Sequence, residues 1–221
     1  MKIFLASASR DEVRWAATNG LVDGVITSPA LLGAESEPGD TRALVLDLGA
    51  IAGVPVHVSV QAVDSGDVYR DGRELAKLGD TIVVQVPFVE DALAGLRRLC
   101  ADGVRVAATF VFGTAQAVLA AKAGASSVVI PLAELEAVGL DAPRVIAELR
   151  AALDVAAPDC DIIALAPATA AAFAACAVAG ADAVAVSPET LREFLVHPLT
   201  DRSLDRFLNE VSRSHASWIA G

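Results

Sequence analysis

The amino-acid sequence predicts an α/β protein that folds as a (β/α)8 barrel, also called a TIM barrel, with an extra C-terminal helix. Short runs of apolar and β-branched residues alternate with helical patterns along the whole chain, which is typical of a parallel sheet covered by helices. Hydrophobic residues make up 54% of the 221 residues, a share that fits a sheet enclosed on both faces. An open doubly wound sheet is the alternative, but no glycine-rich phosphate loop follows the first strand.

Eight strand–helix units follow one another along the chain. The strands are predicted at 2–6, 24–28, 56–61, 81–87, 104–110, 126–131, 162–166 and 183–187. The helices are predicted at 10–19, 41–51, 65–78, 89–102, 114–123, 143–156, 168–179 and 188–196. Ser9 and Glu12 form a capping-box pattern before the first helix. Glycines that close helices stand at positions 20, 79, 103, 124 and 180. Eight such units favour a closed parallel barrel.

A ninth helix is predicted at 199–218, beyond the eighth unit. The residues that share its apolar face are Leu204, Phe207, Leu208 and Val211, with Trp218 near its end. Because a closed barrel has no interior left to fill, we expect this helix to pack across a barrel face or against a neighbouring subunit. The chain therefore divides into a barrel of residues 1–197 and a helical extension of residues 198–221.

The composition excludes several classes of partner. The net charge of −11 leaves no basic face for nucleic acid, and no apolar stretch of about 20 residues has a membrane-spanning pattern. The three cysteines have no short spacing, so we expect reduced core thiols and no disulfide. No His, Cys, Asp and Glu residues have metal-ligand spacing. We therefore expect a cytoplasmic protein with a small-molecule ligand and without metal or cofactor.

Five segments carry a more specific signal. They are Leu21–Pro29 (LVDGVITSP), Gly72–Leu78 (GRELAKL), Thr81–Pro87 (TIVVQVP), Thr109–Ala125 (TFVFGTAQAVLAAKAGA) and His197–Leu208 (HPLTDRSLDRFL). Together they resemble the small, single-domain transaldolases and fructose-6-phosphate aldolases over nearly the whole chain. The resemblance implies a (β/α)8 barrel that assembles as a homo-oligomer, a pentamer or a decamer, with the last helix lying on a neighbouring subunit.

The positions at which this resemblance implies chemistry carry other residues. Gln85 stands where the resemblance places the lysine that forms a Schiff base, and an amide is not a nucleophile for that reaction. Ala6 replaces the aspartate that ends the first strand. The other departures are Ser28 for an asparagine, Pro131 for a tyrosine, Glu134 for an arginine, and Ala166 and Ala168 for a serine and a basic residue that hold phosphate. Standard transaldolase chemistry is therefore not expected, although Thr109 and Gln116 keep the residue types of that family.

Strand alternation predicts which residues point into the barrel near the carboxyl ends of the strands, where barrel sites lie. They are Ala6, Ser28, Ser59, Gln61, Gln85, Thr109, Pro131, Ala166 and Ser187. This ring is neutral, bears hydroxyl and amide groups, and contains small side chains. It predicts a roomy pocket for a ligand without phosphate. The alternative is a hydrogen-bond network that the protein satisfies internally.

Two titratable side chains are weak candidates for catalysis. His57 lies two residues before Ser59 on the same strand face, in a polar line that also includes Gln61. It either supplies acid–base chemistry or serves as a core histidine bonded to a neighbour, and we favour the core role. Glu134, after the sixth strand, either binds a cationic group at the pocket mouth or is a solvated loop charge. The solvated charge is the simpler interpretation.

These features lead to three hypotheses about function. The first is a diverged enzyme that acts on a carbonyl-bearing or related metabolite without Schiff-base chemistry; lyase, isomerase and cyclase reactions all fit a neutral pocket. The second is a non-catalytic relative that binds a ligand or joins active relatives in a ring. The third is an aldolase with unconventional chemistry. A bound small molecule that is chemically changed on incubation would support an enzyme, whereas an empty pocket and mixed rings would support the structural subunit.

Overall fold

The structure, a computed structural model, describes residues 1–37 and 39–214. Its strands are β1 Lys2–Ala6, β2 Gly24–Ile26, β3 Val56–Ser59, β4 Ile82–Pro87, β5 Val106–Thr109, β6 Ser127–Pro131, β7 Asp161–Leu165 and β8 Ala183–Val186. They follow one another in chain order around a closed barrel, with every neighbouring pair parallel, and β8 pairs with β1 to close it. The predicted (β/α)8 barrel is confirmed, and the open doubly wound sheet is excluded.

Helices connect the strands on the outside of the barrel. They are α1 Arg10–Thr18, α2 Pro29–Glu35, α3 Thr41–Ala52, α4 Ser65–Ala76, α5 Leu93–Ala101, α6 Thr114–Lys122, α7 Leu132–Ala137, α8 Ala142–Ala156, α9 Ala170–Val178, α10 Pro188–Glu193 and α11 Pro198–Ser214. A short 3-10 turn, Glu90–Ala92, leads into α5. Every long helix lies within the range expected from the sequence except at its ends, which shift by a few residues.

Two short helices, α2 and α7, are absent from the sequence prediction. α2 begins at Pro29 directly after Ser28, whose hydroxyl oxygen accepts a hydrogen bond from the Leu31 amide at 3.2 Å. Because Ser28 caps this helix, β2 ends at Ile26, two residues earlier than predicted. α7 follows Pro131 without any side-chain cap. Both helices start at the carboxyl end of a strand, the end at which barrel sites lie.

The ends of the helices match the predicted signals only in part. Ser9 precedes α1, but its side chain makes no capping hydrogen bond, so the predicted capping box is not formed. Gly103 and Gly124 follow α5 and α6 at φ values of 80° and 105°, in the left-handed region that favours glycine. Their amides donate to carbonyls of the preceding helices at 3.0 and 2.9 Å. The chain is thereby turned back towards the next strand.

The interior of the barrel is filled by a cluster of buried apolar side chains. Its members are Phe4, Ile26, Val83, Ala107, Val129, Ile163, Ala183 and Ala185. Ala6 and Leu165 pack on this cluster from the carboxyl side of the strands. Burial of this apolar surface stabilises the barrel, and the same cluster forms the floor on which the candidate site rests.

The chain forms two compact units, the first spanning Met1–Pro188 and the second beginning at Glu189. The first unit contains the whole barrel. In the second, α11 carries four apolar residues that are 51–58% exposed, namely Leu204, Phe207, Leu208 and Val211. The predicted ninth helix is observed from residue 198 to 214, and its predicted end, with Trp218, lies outside the described residues. None of the helices in the described ranges has the length and hydropathy needed to cross a membrane.

Candidate ligand-binding site

A cavity of about 340 Å³ opens at the carboxyl ends of the barrel strands. This is the end at which (β/α)8 barrels hold their sites, and the volume lies within the usual range for small-molecule pockets. The lining residues are Ala6, Ile26, Thr27, Ser28, Pro29, Leu31, Ser59, Val60, Gln85, Pro87, Thr109, Phe110, Val129, Pro131, Leu165 and Ala166. All of them are apolar or neutral polar residues, and none of these described residues is ionisable.

Gln85 is held in the wall of this cavity by its neighbours. It lies in β4, is 4% exposed, and stands directly beside Ser59 of β3 in the strand register. Its Nε2 donates a hydrogen bond to the backbone carbonyl of Thr27 at 2.9 Å. One amide hydrogen is thereby used to link β4 to the segment after β2. The other hydrogen and the carbonyl oxygen of the side chain keep their bonding capacity.

The other polar groups of the lining fall into two classes. Thr27 donates its hydroxyl to the backbone carbonyl of His57 at 2.7 Å, and Ser28 uses its hydroxyl oxygen to cap α2. The hydroxyls of Ser59 and Thr109, by contrast, make no hydrogen bond within the described residues. With Gln85 they form an arc of available polar groups on the consecutive strands β3, β4 and β5. Thr27 keeps acceptor capacity and Ser28 keeps its hydroxyl donor, because each of these hydroxyls makes a single hydrogen bond. The arc differs in that two of its three side chains make no hydrogen bond within the described residues.

Two residues at the mouth have an unusual backbone. Phe110 and Ala166 follow β5 and β7 with φ values of 59° and 61°, and they are the non-glycine residues with positive φ in the described ranges. Left-handed backbone at a residue with a Cβ costs about 1–2 kcal/mol, and such strain is concentrated at functional sites. Both residues line the cavity, and Phe110 is 53% exposed.

The structure brings together seven of the nine residues predicted to face the pocket. They are Ala6, Ser28, Ser59, Gln85, Thr109, Pro131 and Ala166. Gln61 is exposed and lines a separate cleft of about 290 Å³ beside α3 and α4. Ser187 is partly buried just after β8 and is not among the lining residues. Glu134 is exposed in the first turn of α7, outside the lining.

His57 lies at the opposite end of the barrel. It is 3% exposed and lines a cavity of about 350 Å³ at the amino ends of the strands, together with Lys2 and Arg105. Its ring contacts that of Phe4 at 5.2 Å between centroids, and its Nδ1 has no hydrogen-bond partner among the described residues. Burial, assisted by the positive charge of Arg105, lowers the pKa of His57 from 6.5 to about 3. The expected polar line from His57 through Ser59 to Gln61 is therefore interrupted at His57. Ser59 lines both the carboxyl-end cavity and the cleft that Gln61 lines, whereas His57 lines only the amino-end cavity.

The three lysines also lie away from the candidate site. Lys2 begins β1 at the amino end of the barrel and pairs with Asp161 at 2.6 Å. Lys77 follows α4, and Lys122 ends α6. In the described part of the chain, no three His, Cys, Asp or Glu side chains are grouped so that they would hold a metal ion. The groups that the cavity offers to a ligand are therefore hydroxyl, amide and apolar ones.

Strand alternation does not predict several lining residues. Thr27, Pro29, Leu31, Val60 and Phe110 lie in the segments after the strands, where alternation no longer determines direction. Two local features of the sequence could have indicated some of them. The Ser-Pro pair at 28 and 29 indicates a helix start at Pro29, and Phe110 is an aromatic residue directly after the end of a strand. The remaining additions, Ile26, Pro87, Val129 and Leu165, lie on the strands themselves.

The closed barrel, with a neutral cavity at the carboxyl ends of its strands, defines a (β/α)8 protein. A family model described as Transaldolase/Fructose-6-phosphate aldolase matches residues 3–219, and the chain belongs to this family. A probable transaldolase of Hyphomonas neptunium is 32% identical over 214 residues, covering 97% of this chain and 98% of that protein. A probable transaldolase of Parvibaculum lavamentivorans is 36% identical over 209 residues, with 94% and 95% covered.

Solved structures that are distant in sequence agree with the fold. A cube-shaped protein cage designed by fusing symmetric oligomeric domains has a TM-score of 0.60 at 16% identity, covering 97% of this chain and 77% of that one. FabK from Thermotoga maritima has a TM-score of 0.56 at 18% identity. That match covers 84% of this chain and only 57% of FabK. Both likenesses concern the fold alone.

Proposed function

We propose that this protein binds an uncharged metabolite bearing a carbonyl or hydroxyl group, and that it forms no Schiff base with this ligand. The observation that carries the proposal is the arc of Ser59, Gln85 and Thr109, whose polar groups are available in an otherwise apolar, uncharged cavity. Phosphate groups in proteins are commonly bound by cationic side chains such as arginine and lysine. The lining contains none, so an unphosphorylated ligand is the better match.

The geometry supports a binding role more strongly than a catalytic one. General acid–base catalysis needs a titratable group within hydrogen-bond reach of the reacting atoms. The two candidates for that role, His57 and Glu134, lie at the other end of the barrel and on the surface of α7. Of the hypotheses based on the sequence, the non-catalytic member that binds a ligand therefore has the greater structural support.

A diverged enzyme is the second candidate, and one observation favours it. Phe110 and Ala166 hold strained left-handed backbone at the mouth of the cavity, a feature that is concentrated at active sites. Such an enzyme would orient a carbonyl through hydrogen bonds to Gln85 and Thr109. Incubation of the protein with a bound ligand, followed by mass spectrometry of that ligand, separates the two candidates: an unchanged ligand supports binding, and a converted ligand supports catalysis.

Dihydroxyacetone and its phosphate ester test the proposed ligand class, because the two probes differ only in the charged group. We expect dihydroxyacetone to bind at least about tenfold more tightly when affinities are measured by protein-observed NMR. Ser59→Ala and Thr109→Val should each weaken its binding by about threefold to tenfold, through loss of one hydrogen bond. Gln61→Leu is the matched control, since Gln61 lines a different cleft. Tighter binding of the phosphate ester would contradict the proposal.

Borohydride trapping tests the absence of imine chemistry. We expect no covalent adduct when the wild-type protein is treated with dihydroxyacetone and borohydride. The double variant Ala6→Asp, Gln85→Lys restores an acid and an amine to the cavity and should yield an adduct of one dihydroxyacetone unit per chain. Gln61→Lys, which adds the same amine outside the cavity, should not. An adduct on the wild-type chain would overturn the proposal.

We also propose that the protein forms a homo-oligomer and is located in the cytoplasm. The exposed apolar face of α11, formed by Leu204, Phe207, Leu208 and Val211, supports a homo-oligomer in which this face is covered. Sedimentation velocity should give a pentamer or a decamer for the wild type and smaller species for Phe207→Glu. A monomeric wild-type protein at micromolar concentration would contradict the proposed assembly.

Free thiols at all three cysteines support a reducing compartment such as the cytoplasm.

A further inference from the structure

The two sides of the cavity differ in chemistry, and this difference narrows the ligand class within the proposed function, on which this inference rests. Ser59, Gln85 and Thr109 form the polar arc on β3, β4 and β5. The strands from β6 around to β2 contribute apolar side chains, which are Val129, Pro131, Leu165, Ala166, Ala6 and Ile26. A ligand with polar groups on every side would leave some of them facing this apolar wall without partners. Unpaired polar groups in such a site are costly.

Phe110 combines two unfavourable features. Its backbone is left-handed at φ 59°, and the residue is 53% exposed although it lines the cavity. It directly follows Thr109, so the ring stands at the mouth beside the polar arc. A bulky residue with positive φ is an outlier among proteins. A ligand group in the mouth of the cavity would bury the exposed part of this side chain, which is favourable.

The size of the cavity indicates how much ligand it accepts. Its volume of about 340 Å³ lies in the range of roughly 300–1,000 Å³ that is usual for pockets holding drug-sized ligands. Dihydroxyacetone has only six non-hydrogen atoms, so it would leave a large part of this space, next to the apolar wall, unfilled. Apolar side chains that face an unfilled space lose the dispersion contacts that a ligand would provide there. A ligand with an additional apolar group fills the same space and contacts both walls.

We propose that the ligand is an amphiphilic carbonyl compound, with a polar hydroxyketone-like end on the polar arc and an apolar group of aromatic size beneath Phe110. The prolines at positions 29, 87 and 131 complete the apolar rim around that group. Phe110 is then a specificity-determining residue, because its ring contacts the apolar part of the ligand. Aromatic contacts of this kind add to the gain from burial alone.

Hydroxyacetone and 2-hydroxyacetophenone provide a direct test, because they share the hydroxyketone group and differ only in methyl against phenyl. We expect the wild-type protein to bind 2-hydroxyacetophenone at least about tenfold more tightly, measured by titration calorimetry or protein-observed NMR. Phe110→Gly removes the ring and should abolish most of this preference. Binding of hydroxyacetone should change by less than about threefold in the same variant, because the polar arc is intact.

Leu119→Ala is the control. It shortens an exposed apolar side chain on α6, outside the residues that line the cavity, so it should retain the preference for the phenyl compound. If Phe110→Gly does not fold, Phe110→Asn serves instead, since asparagine tolerates left-handed backbone and lacks an apolar ring. Thermal unfolding of each variant shows whether a change in binding reflects a loss of the folded state.

The possible results are distinguishable. Equal binding of the two probes to the wild type, or a preference that survives in Phe110→Gly, overturns this inference and leaves the proposed hydroxyketone binding intact. If neither probe binds the folded protein, both the inference and the proposed function fail. If Phe110→Gly weakens self-association without changing the preference, Phe110 contacts a second copy of the chain, and the inference is overturned.

Discussion

The most quantitative prediction concerns His57 and the dependence of stability on pH. In the folded protein burial, with a contribution from Arg105, lowers the pKa of His57 from 6.5 to about 3. In the unfolded chain the imidazole recovers its ordinary value of about 6.5. Protons therefore bind the unfolded chain more readily than the folded protein. The stability contributed by the neutral imidazole is complete above pH 6.5 and is progressively lost as the pH falls towards 3.

The size of the effect follows from proton linkage. Below the unfolded pKa, each pH unit changes the free energy of unfolding by about 1.4 kcal/mol for one such group. Between pH 7 and pH 5 the unfolded chain passes through its own pKa while the folded imidazole stays neutral, so His57 alone should lower the free energy of unfolding by about 2 kcal/mol. Carboxylates also titrate near the lower end of this range. The quantity to measure is therefore the difference between the wild type and a variant without this imidazole.

His57→Phe removes the titration and keeps an aromatic ring beside Phe4. Urea unfolding followed by far-UV circular dichroism at pH 7, 6 and 5 gives the free energy of unfolding of each protein. The stability of the variant relative to wild type should rise by about 2 kcal/mol from pH 7 to pH 5. His197→Asn, which changes an exposed histidine, is the control and should follow the wild type. A difference between wild type and His57→Phe that stays constant with pH would refute the argument.

Three further predictions concern packing and hydrogen bonding, and thermal or urea unfolding tests each of them. Gly95→Ala should lower the free energy of unfolding by about 1–3 kcal/mol, because the new Cβ would lie 2.4 Å from the Ser65 backbone oxygen; a neutral result would contradict this packing. Gly33→Ala should raise it by up to about 1 kcal/mol, since no atom lies within 4 Å of the new Cβ, and a loss would show that the helix is not regular there. Gln85→Leu should cost about 1–3 kcal/mol by leaving a buried carbonyl without its donor, whereas the matched change Gln61→Leu should be nearly neutral.

The barrel is predictable from the sequence because its physical signals are repeated. Each strand is a short buried run, each is followed by a helical pattern, and glycines such as Gly103 and Gly124 end helices where left-handed backbone is required. The short helices α2 and α7 do not share these signals. α7 has no side-chain cap, and α2 has only seven residues, too few for a clear helical period. Their positions depend on how the chain leaves β2 and β6.

The candidate site is predictable where a residue belongs to a paired strand and less so beyond it. Gln85 and Ser59 are register partners on β4 and β3, so alternation correctly predicts that both face inward. Gln61 and Ser187 lie past the last residues of β3 and β8, where no ladder constrains direction, and neither lines the cavity. His57 obeys the alternation but is the second residue of β3, two residues before Ser59, and it lines the cavity at the amino ends of the strands.

The chemistry of the cavity depends on which polar groups the fold has already used, and residue types alone do not reveal this. Thr27 and Ser28 carry the same hydroxyl group as Ser59 and Thr109, yet the first two bond to the protein itself. The difference arises because the chain leaves β2 through a capped helix. Ser28 caps that helix, and Thr27 bonds to the backbone of the neighbouring strand β3. No such bond is made by the hydroxyls of Ser59 and Thr109, at the ends of β3 and β5, within the described residues. The hydroxyls without a hydrogen bond in the described lining therefore lie on the β3–β5 side of the barrel, and this is the side on which the proposed ligand would find its polar partners.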